Sequence, residues 1–421
     1  MTRLLTRLLL LSVCAFAALS SSAAAALGFE EERIFLFTGL LVLLLLLPFL
    51  VRPMLAQPSG PVVILCLLAA WIVLTGAGGE SFSPVDAKFV LPLLVLLAAP
   101  DLARHFDPEG LLRLVWWQLS IYVALTFAHQ ALAGPAAVAR GYASIVRYDP
   151  TGSVVMHSSL SFIHLVLAGT RLRQELRPAD RALTLALGGM ALAMVLMTAT
   201  RTVLLTGALT ALLLLRVSPR PAEAAMRLGM AGLGFAFAFS GWTLLVSDSF
   251  WLRLTGGQED YSSGRWASVG HWLALAGEHP FGLGLGAVRA MLADGRPALD
   301  GVQLLEWPHN ELVRFYLEAG PPGLLFVVLL LSLLVHRAVR AARAEAEPVR
   351  RALVCAIAAD LVTEACLQNL FNAVYHATVL ILTLSLTIAA GQRQRADDAT
   401  ERTPAPFRPP TAPEARRRLP T

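Results

Sequence analysis

Long, uninterrupted apolar segments constrain the fold of this 421-residue chain more than any other feature of its sequence. A helix that crosses a bilayer needs roughly 17–25 mostly apolar residues, and the chain contains about twelve such segments. They lie near residues 4–27, 33–51, 61–78, 85–100, 110–132, 152–170, 182–199, 202–216, 226–247, 309–336, 350–371 and 374–391. Because 56% of the residues are hydrophobic and only 15% are charged, the composition lies outside the range of soluble domains. The sequence therefore predicts an all-α, polytopic membrane protein.

The distribution of basic residues predicts the orientation. When the apolar segments are taken as alternating spans, most of the 34 basic residues fall on the side of the N-terminus and of the arginine-rich C-terminal segment. Lys and Arg accumulate in cytoplasmic loops, so both termini are predicted to be cytoplasmic. Since the basic residues do not gather on a soluble face, the net charge of +5 does not indicate nucleic-acid binding.

The N-terminal segment indicates how the chain enters the membrane, and the cysteine spacing indicates whether disulfides or a metal site are expected. Residues 1–28 combine two arginines, an apolar run and an Ala-rich end, a pattern that also describes a signal peptide. The run is long enough to span a membrane, so we expect a retained first helix. The four cysteines lie inside apolar segments without CxxC or Cys/His spacing. They predict neither a disulfide framework nor a metal site.

The apolar segments divide the chain into four regions. Residues 1–247 hold the first nine predicted helices, and residues 309–391 hold the last three. Residues 248–308 form an external connection of about sixty residues, which is far longer than usual loops and is therefore expected to be functional. Residues 392–421 are rich in Pro and Arg and are expected to form a disordered cytoplasmic tail.

Short helices are expected inside the long connection. Ser263 is placed to cap a helix that runs from Arg265 and ends before Pro280. We expect this helix to be interfacial and amphipathic, with Trp266 and Trp272 at headgroup depth. The glycine-rich segment that follows lacks the preceding strand of a dinucleotide-binding loop. It is expected to be extended and packed closely on the membrane region.

Some basic residues break the orientation rule and need another explanation. They are Arg33, Lys88, Arg140, Arg147, Arg201, Arg253, Arg265, Arg289, Arg296 and Arg314. For Arg201, at the external end of an apolar segment, the alternative to a functional role is a snorkelling anchor. Arg265 lies in the first turn of its predicted helix, where a cation opposes the helix dipole. Arg147 and Lys88 each have an aspartate within two residues that they could simply neutralise.

The tenth apolar segment opens with a cluster of ionisable residues. Pro308 suggests a helix start, because proline is common at the first helical position, and a helix start favours an anionic ligand. Glu311, Arg314 and Glu318 share one stripe of that helix and could be substrate contacts or an internal salt-bridge chain. The Gly-Pro-Pro-Gly segment at 320–323 is expected to bend the helix.

His309 adds a titratable group to this external face. Its alternative role is that of an interfacial histidine bonded to a loop carbonyl. The forked guanidinium groups of several arginines match phosphate oxygens, and a diphosphate needs more than one of them. The residues therefore point to a site for a membrane-borne phosphate or diphosphate ester, with His309 available as a base.

Several segments, in this order along the chain, resemble elements of the O-antigen ligase and polymerase superfamily. They are Thr198-Ala199-Thr200-Arg201-Thr202, Ser263-Gly264-Arg265-Trp266, Pro280-Phe281-Gly282-Leu283-Gly284, His309-Asn310-Glu311, Glu318-Ala319-Gly320 and Gly323-Leu324. The resemblance covers residues 185–335. Threonine stands at 198 and 200 where serine is common in the family, and the double proline at 321–322 is a second departure.

The resemblance implies a GT-C-like glycosyltransferase of the bacterial inner membrane with its active site on the periplasmic side. The donor would be an O-antigen linked to undecaprenyl diphosphate, and the acceptor a sugar hydroxyl of lipid A-core. Arg201 and Arg265 would bind the donor diphosphate, and His309 would deprotonate the acceptor; no cofactor is implied. The candidates for further substrate contacts are Arg147, Lys88, Asn310, Arg314 and Glu311.

Three other functions remain open at the level of sequence. A repeat-unit polymerase and a protein O-oligosaccharyltransferase belong to the same class of enzyme and would share the site. A transporter of lipid-linked glycans is a different class, in which paired broken helices near the bilayer midplane are typical. The unexplained charges here gather at one face instead, which favours the enzyme.

Overall fold

A computed structural model of the chain describes residues 8, 31–55, 60–77, 79, 81–142, 145–148, 154–174, 176–198, 200–226, 265–293, 307–368, 370–371 and 374–402. Its helices are Glu31–Leu55 (α1), Gly60–Gly76 (α2), Val90–Ala103 (α3), Pro108–Val138 (α4), Val154–Arg171 (α5), Pro178–Thr198 (α6), Arg201–Val217 (α7), Arg265–Glu278 (α8), Ala287–Ala293 (α9), Glu311–Ala344 (α10), Pro348–Leu367 (α11) and Val374–Arg402 (α12). A 3₁₀ helix, Pro84–Phe89, precedes α3.

The helices confirm the positions of the predicted apolar segments wherever the structure describes them. The segments near 4–27 and 226–247 lie, apart from Leu8 and Met226, outside the described residues. Four of the described helices contain a stretch long and apolar enough to cross a membrane. These stretches are Pro108–Ala128, Pro178–Leu196, Glu311–Ala344 and Val374–Ala396. The described part of the chain is therefore an α-helical assembly with the character of a membrane protein.

Two stretches of secondary structure differ from the predictions. Strands Ala139–Tyr142 (β1) and Ile145–Tyr148 (β2) form an antiparallel hairpin between α4 and α5, where the sequence predicts a connection between two helices and no strand. The prediction of a disordered tail is wrong for residues 392–402, which continue α12; Ala, Gln and Arg are common there, and these residues favour helix. The rest of the predicted tail lies outside the described residues.

The last helix, α12, runs through the middle of the described bundle. In the most apolar part of its span Val374–Ala396, 83% of the residues are buried, compared with 39–50% in the other three candidate spans. It packs against α3, α4, α10 and α11. Because a helix enclosed by other helices cannot tilt or shift freely, α12 fixes the position of the connection that precedes it.

The bend in α10 has a specific structural cause. Gly320 adopts a non-helical conformation (φ 64°, ψ −155°), as the Gly-Pro-Pro-Gly segment predicts. Prolines 321 and 322 have no N–H, so the carbonyls of Leu317 and Glu318 lose their partners within the helix. The backbone N–H groups of Leu283 and Gly284 donate to these carbonyls over 2.8 and 2.9 Å. The extended glycine-rich segment is thus docked on the bend, which confirms the predicted close packing.

The helix α8 is anchored on α10 by its apolar face. Trp272 is completely buried, in a cluster with Ala276, Val288, Val313 and Leu317. The expectation that Trp272 lies at headgroup depth is therefore wrong, because its ring fills a gap between helices; the side chain of Trp266 lies outside the described part.

Candidate functional site

The three predicted catalytic residues are all found at helix starts. Arg201 is the first residue of α7 and follows Thr200, an N-cap in extended conformation. Arg265 is the first residue of α8, and His309 comes two residues before Glu311, the first residue of α10. The N-terminus of a helix carries partial positive charge, so a cation there destabilises the helix locally and strengthens the attraction for an anion. For Arg201 and Arg265 these positions come from the backbone, since their side chains lie outside the described part.

The backbone turns sharply at His309, just before α10. Its φ of 46° is left-handed, and it is the non-glycine residue with positive φ in the described part of the chain. Such a conformation is uncommon outside glycine, and it occurs often at functional sites. The prediction that Pro308 begins the helix is wrong, because Asn310 is the N-cap. The Oδ1 of Asn310 accepts hydrogen bonds from the N–H groups of Leu312 and Val313 over 2.9 and 3.2 Å, so its amide NH₂ is the part that could meet a substrate.

Glu311, Arg314 and Glu318 form a buried ionic chain along α10. The guanidinium of Arg314 lies 3.5 Å from Glu311 Oε2 and 3.2 Å from Glu318 Oε2. The three residues are 0%, 3% and 2% exposed, respectively. The guanidinium thus lies between the two carboxylates inside the protein, which favours the internal salt-bridge chain over substrate contact for Glu311 and Arg314.

The 3₁₀ helix before α3 and the short helix α9 together add three more charges to this cluster. Arg289, from α9, holds Asp86 through two contacts, Nε to Oδ1 at 3.1 Å and Nη2 to Oδ2 at 2.9 Å. Asp86 therefore already has a cationic partner other than Lys88. Burial, followed by the neighbouring Arg314 guanidinium, lowers the pKa of the half-buried Lys88 to about 8, against the opposing effect of the nearby carboxylates.

The cations and carboxylates of this cluster balance. The cations are Lys88, Arg289 and Arg314, and the carboxylates are Asp86, Glu311 and Glu318. A self-neutral cluster has little surplus charge for a diphosphate. It is better suited to hold the start of α10 against the long connection than to bind the substrate directly.

The connection between α11 and α12 brings the starts of α7 and α10 together. Gln368 donates from Nε2 to the hydroxyl of Thr202, the neighbour of Arg201, over 3.2 Å. The N–H of Phe371 donates to Glu311 Oε1 over 2.7 Å. Arg201 and His309 lie 108 positions apart in sequence. They thus lie at the starts of two helices that are both hydrogen bonded to this connection. Neither Gln368 nor Phe371 follows from the sequence, because each contact joins distant segments.

Arg147 lies in the β-hairpin between α4 and α5. It is in β2, opposite Arg140 of β1, and the hairpin packs against α4 and α6. Its side chain lies outside the described part, and its predicted role in substrate binding stays a prediction.

The sequence analysis does not predict a buried polar layer that the structure shows inside the helix bundle. The hydroxyl of Tyr122 lies 2.9 Å from His157 Nδ1 and 3.1 Å from His376 Nε2. Nearby in sequence to His157, Ser159 is hydrogen bonded to Asp360 of α11. The available signal was an ionisable residue within an apolar segment, which is costly and often functional.

Metal ligands are not clustered in the residues that the structure describes: no three His, Cys, Asp or Glu side chains there could hold an ion. Comparison with known proteins gave no match to a protein-family model or to a curated protein.

Proposed function

We propose that this protein is a glycosyltransferase that moves O-antigen from undecaprenyl diphosphate to a sugar hydroxyl of lipid A-core. The observation that carries the proposal is the location of Arg201, Arg265 and His309, each at a helix start. Two of those helices, α7 and α10, are hydrogen bonded at their starts to the connection between α11 and α12. Helix starts and arginines together suit a diphosphate, and a histidine beside them suits deprotonation of a hydroxyl.

The proposed reaction is a single in-line displacement that inverts the anomeric carbon. The acceptor oxygen forms a bond to that carbon while the bond to the diphosphate oxygen breaks. His309 takes the acceptor proton, and undecaprenyl diphosphate leaves as an anion. Arg201 and Arg265 stabilise the developing charge on the leaving group, which is usually the largest contribution to the rate. Because fixed arginines fill the place of a metal ion, the reaction is proposed to be metal-independent.

The topology that goes with this function has about twelve spans with both termini in the cytoplasm, in a GT-C-like arrangement. The helix α10 supports this orientation of the site. From residue 321 to 344 it is roughly 36 Å long at 1.5 Å per residue, enough for a hydrocarbon core of roughly 30 Å. Its first turns, with His309 beside them, would then lie at the external face, in the periplasm.

Deletion of the gene, followed by electrophoresis of the lipopolysaccharide, tests the proposal. A ligase mutant would carry no O-antigen on its core and would accumulate glycan on the lipid carrier. A core that carries single repeats would instead identify a polymerase, and an intact ladder would identify a protein O-oligosaccharyltransferase.

Transport of a lipid-linked glycan is the second candidate, and one observation favours it. His157, His376 and Asp360 are all fully or almost fully buried within the bundle, and intramembrane ionisable groups are frequent in transporters. Purified protein in detergent distinguishes the two functions, because there are no compartments between which to transport. Formation of glycosylated lipid A-core under these conditions would exclude transport as the main activity.

A further inference from the structure

Four buried side chains and backbone groups tie the connection between α11 and α12 to two helix starts. On one side, Gln368 Nε2 lies 3.2 Å from Thr202 Oγ1. On the other, the N–H of Phe371 lies 2.7 Å from Glu311 Oε1. These four residues are between 0% and 8% exposed. Neither hydrogen bond competes with water, so each one holds its partners in a fixed arrangement.

The connection is held more firmly on the α10 side. The ring of Phe371 packs edge-on against Phe315, with the centroids 5.7 Å apart. Phe315 also packs against Phe326 and Phe89. Thus the ring of Phe371 packs against Phe315 of α10, and its amide is hydrogen bonded to Glu311 of the same helix. On the α7 side, the Gln368–Thr202 bond joins the connection to the residue next to Arg201.

The shortness of the connection limits the separation of the two helix starts. Three residues of fully extended chain span at most about 11 Å, so the Cα atoms of Gln368 and Phe371 cannot be farther apart than that. An in-line displacement places the acceptor and the leaving group on opposite sides of the reacting carbon. The distance between a cation on the leaving group and a base on the acceptor therefore determines how well the reactants are aligned.

We propose that Gln368 and Glu311 are positioning residues, and that the connection from 368 to 371 sets the separation between Arg201 and His309. This inference rests on the proposed function, since it assigns these two residues to the two ends of the reaction. Loss of alignment lowers the rate of the chemical step and leaves substrate binding nearly unchanged. A merely structural role would instead reduce the amount of folded protein at unchanged turnover.

Steady-state kinetics of purified variants test the inference, with lipid-diphosphate-linked oligosaccharide and lipid A-core as substrates. We expect Gln368→Leu and Thr202→Val each to lower kcat about 10- to 100-fold, with KM for both substrates within about twofold. The double variant should be no slower than the slower single variant, because both changes remove the same bond. Thr202→Ser keeps the hydroxyl and should recover most of the turnover.

Thr210→Val is the matched control for Thr202→Val. Thr210 is also buried on α7, but its hydroxyl donates only to the carbonyl of Thr206 within the same helix. We expect wild-type turnover from this variant. Independent losses in the two single variants that multiply in the double variant would overturn the inference. Equal losses in Thr202→Val and Thr202→Ser would also overturn it.

A distance measurement separates failure of this inference from failure of the proposed function. Spin labels at the exposed positions Leu205 on α7 and Leu325 on α10, in a background without the four native cysteines, report the separation of the two helices. The distance distribution should broaden in Gln368→Leu and stay narrow in Thr210→Val. An unchanged distribution would overturn the inference whatever the activity. If wild-type protein transfers no glycan, the proposed function fails, and the proposed role of the connection in the reaction fails with it.

Discussion

At the scale of single residues, the cations of this protein fall into two kinds according to the charges near them. Arg314 is enclosed by Glu311 and Glu318 and is 3% exposed, whereas Arg201 and Arg265 begin helices whose dipoles repel them. A cation that is matched by carboxylates contributes to the fold. A cation that is placed against a helix dipole needs an anion from elsewhere, and the proposed donor diphosphate would supply one.

We expect Arg314→Met to destabilise the protein by about 3–5 kcal/mol, because Glu311 and Glu318 would lose the buried guanidinium that they share. Thermal unfolding in detergent measures the loss. Adding Glu311→Gln and Glu318→Gln to the same chain removes the unmatched charges and should recover much of the stability. A triple variant as unstable as Arg314→Met would show that the ionic chain is not the cause.

The pH dependence of stability should contain a contribution from Lys88. Its pKa falls from 10.5 to about 8 in the folded protein, so the unfolded chain binds more protons between these values and stability rises with pH there. Below pH 8 both states are protonated, and the cost of the buried charge is constant. Lys88 is the only lysine in the chain, which makes Lys88→Met a clean comparison.

The unfolding temperature of the wild type, relative to that of Lys88→Met, should therefore increase between pH 7.5 and pH 9.5. Parallel curves for the two proteins over this range would contradict the expected ionisation.

His309→Ala should lower kcat by about 10² to 10⁴, the usual contribution of a general base. Transfer of glycan to lipid A-core by purified enzyme is the measurement. The companion variant Arg265→Lys should also be strongly impaired, since an ammonium cannot reproduce the bidentate guanidinium. Near-normal turnover of His309→Ala would remove this residue from the mechanism.

At the scale of elements, the bend of α10 and the docked glycine-rich segment depend on each other. A Cβ added at Gly282 would lie 2.7 Å from Glu318 O, and Gly282 has φ 85°. Gly284 has a similar φ of 95°, but a Cβ there meets no atom within 4 Å. The two positions therefore share the backbone conformation and differ in the space available.

Gly282→Ala should destabilise the docked segment more than Gly284→Ala, because the first substitution adds a backbone clash to the strain that both incur. Hydrogen exchange of the amides of Leu283 and Gly284 measures the docking, since these groups donate to α10. Protection should be lost in Gly282→Ala and largely kept in the other variant. Equal protection in both would show that the close approach is unimportant.

The same elements indicate what a sequence can predict here. The bend at Gly320 follows from the local Gly-Pro-Pro-Gly pattern, because proline removes specific N–H groups whatever the surroundings. The partners that replace them, Leu283 and Gly284, do not follow, because nothing local encodes a hydrogen bond across 34 positions. The prediction that Trp272 lies at headgroup depth is wrong for a related reason. An amphipathic helix has the same periodicity whether its apolar face meets lipid or another helix.

At the scale of the whole molecule, the candidate site joins parts of the chain that no local pattern connects. Helix positions follow from hydropathy, since apolar runs of sufficient length have few alternatives in a bilayer. The residues Gln368, Phe371 and Arg289, which hold the site elements together, belong to segments far from their partners. The sequence motifs single out Arg201, Arg265 and His309, and the tertiary contacts indicate what holds the starts of α7 and α10 together.

The basic residues at the end of α10 and the start of α11 predict the orientation of the whole chain. α10 ends with basic residues at 337, 340 and 343, and α11 begins with two more at 350 and 351. Such a cluster favours the cytoplasmic side, which puts His309, at the opposite end of α10, in the periplasm. Green fluorescent protein fused after residue 421 should fluoresce, and alkaline phosphatase fused after residue 293 should be active. Phosphatase activity at the C-terminus, or fluorescence of a fusion after 293, would invert the topology and place the candidate site in the cytoplasm.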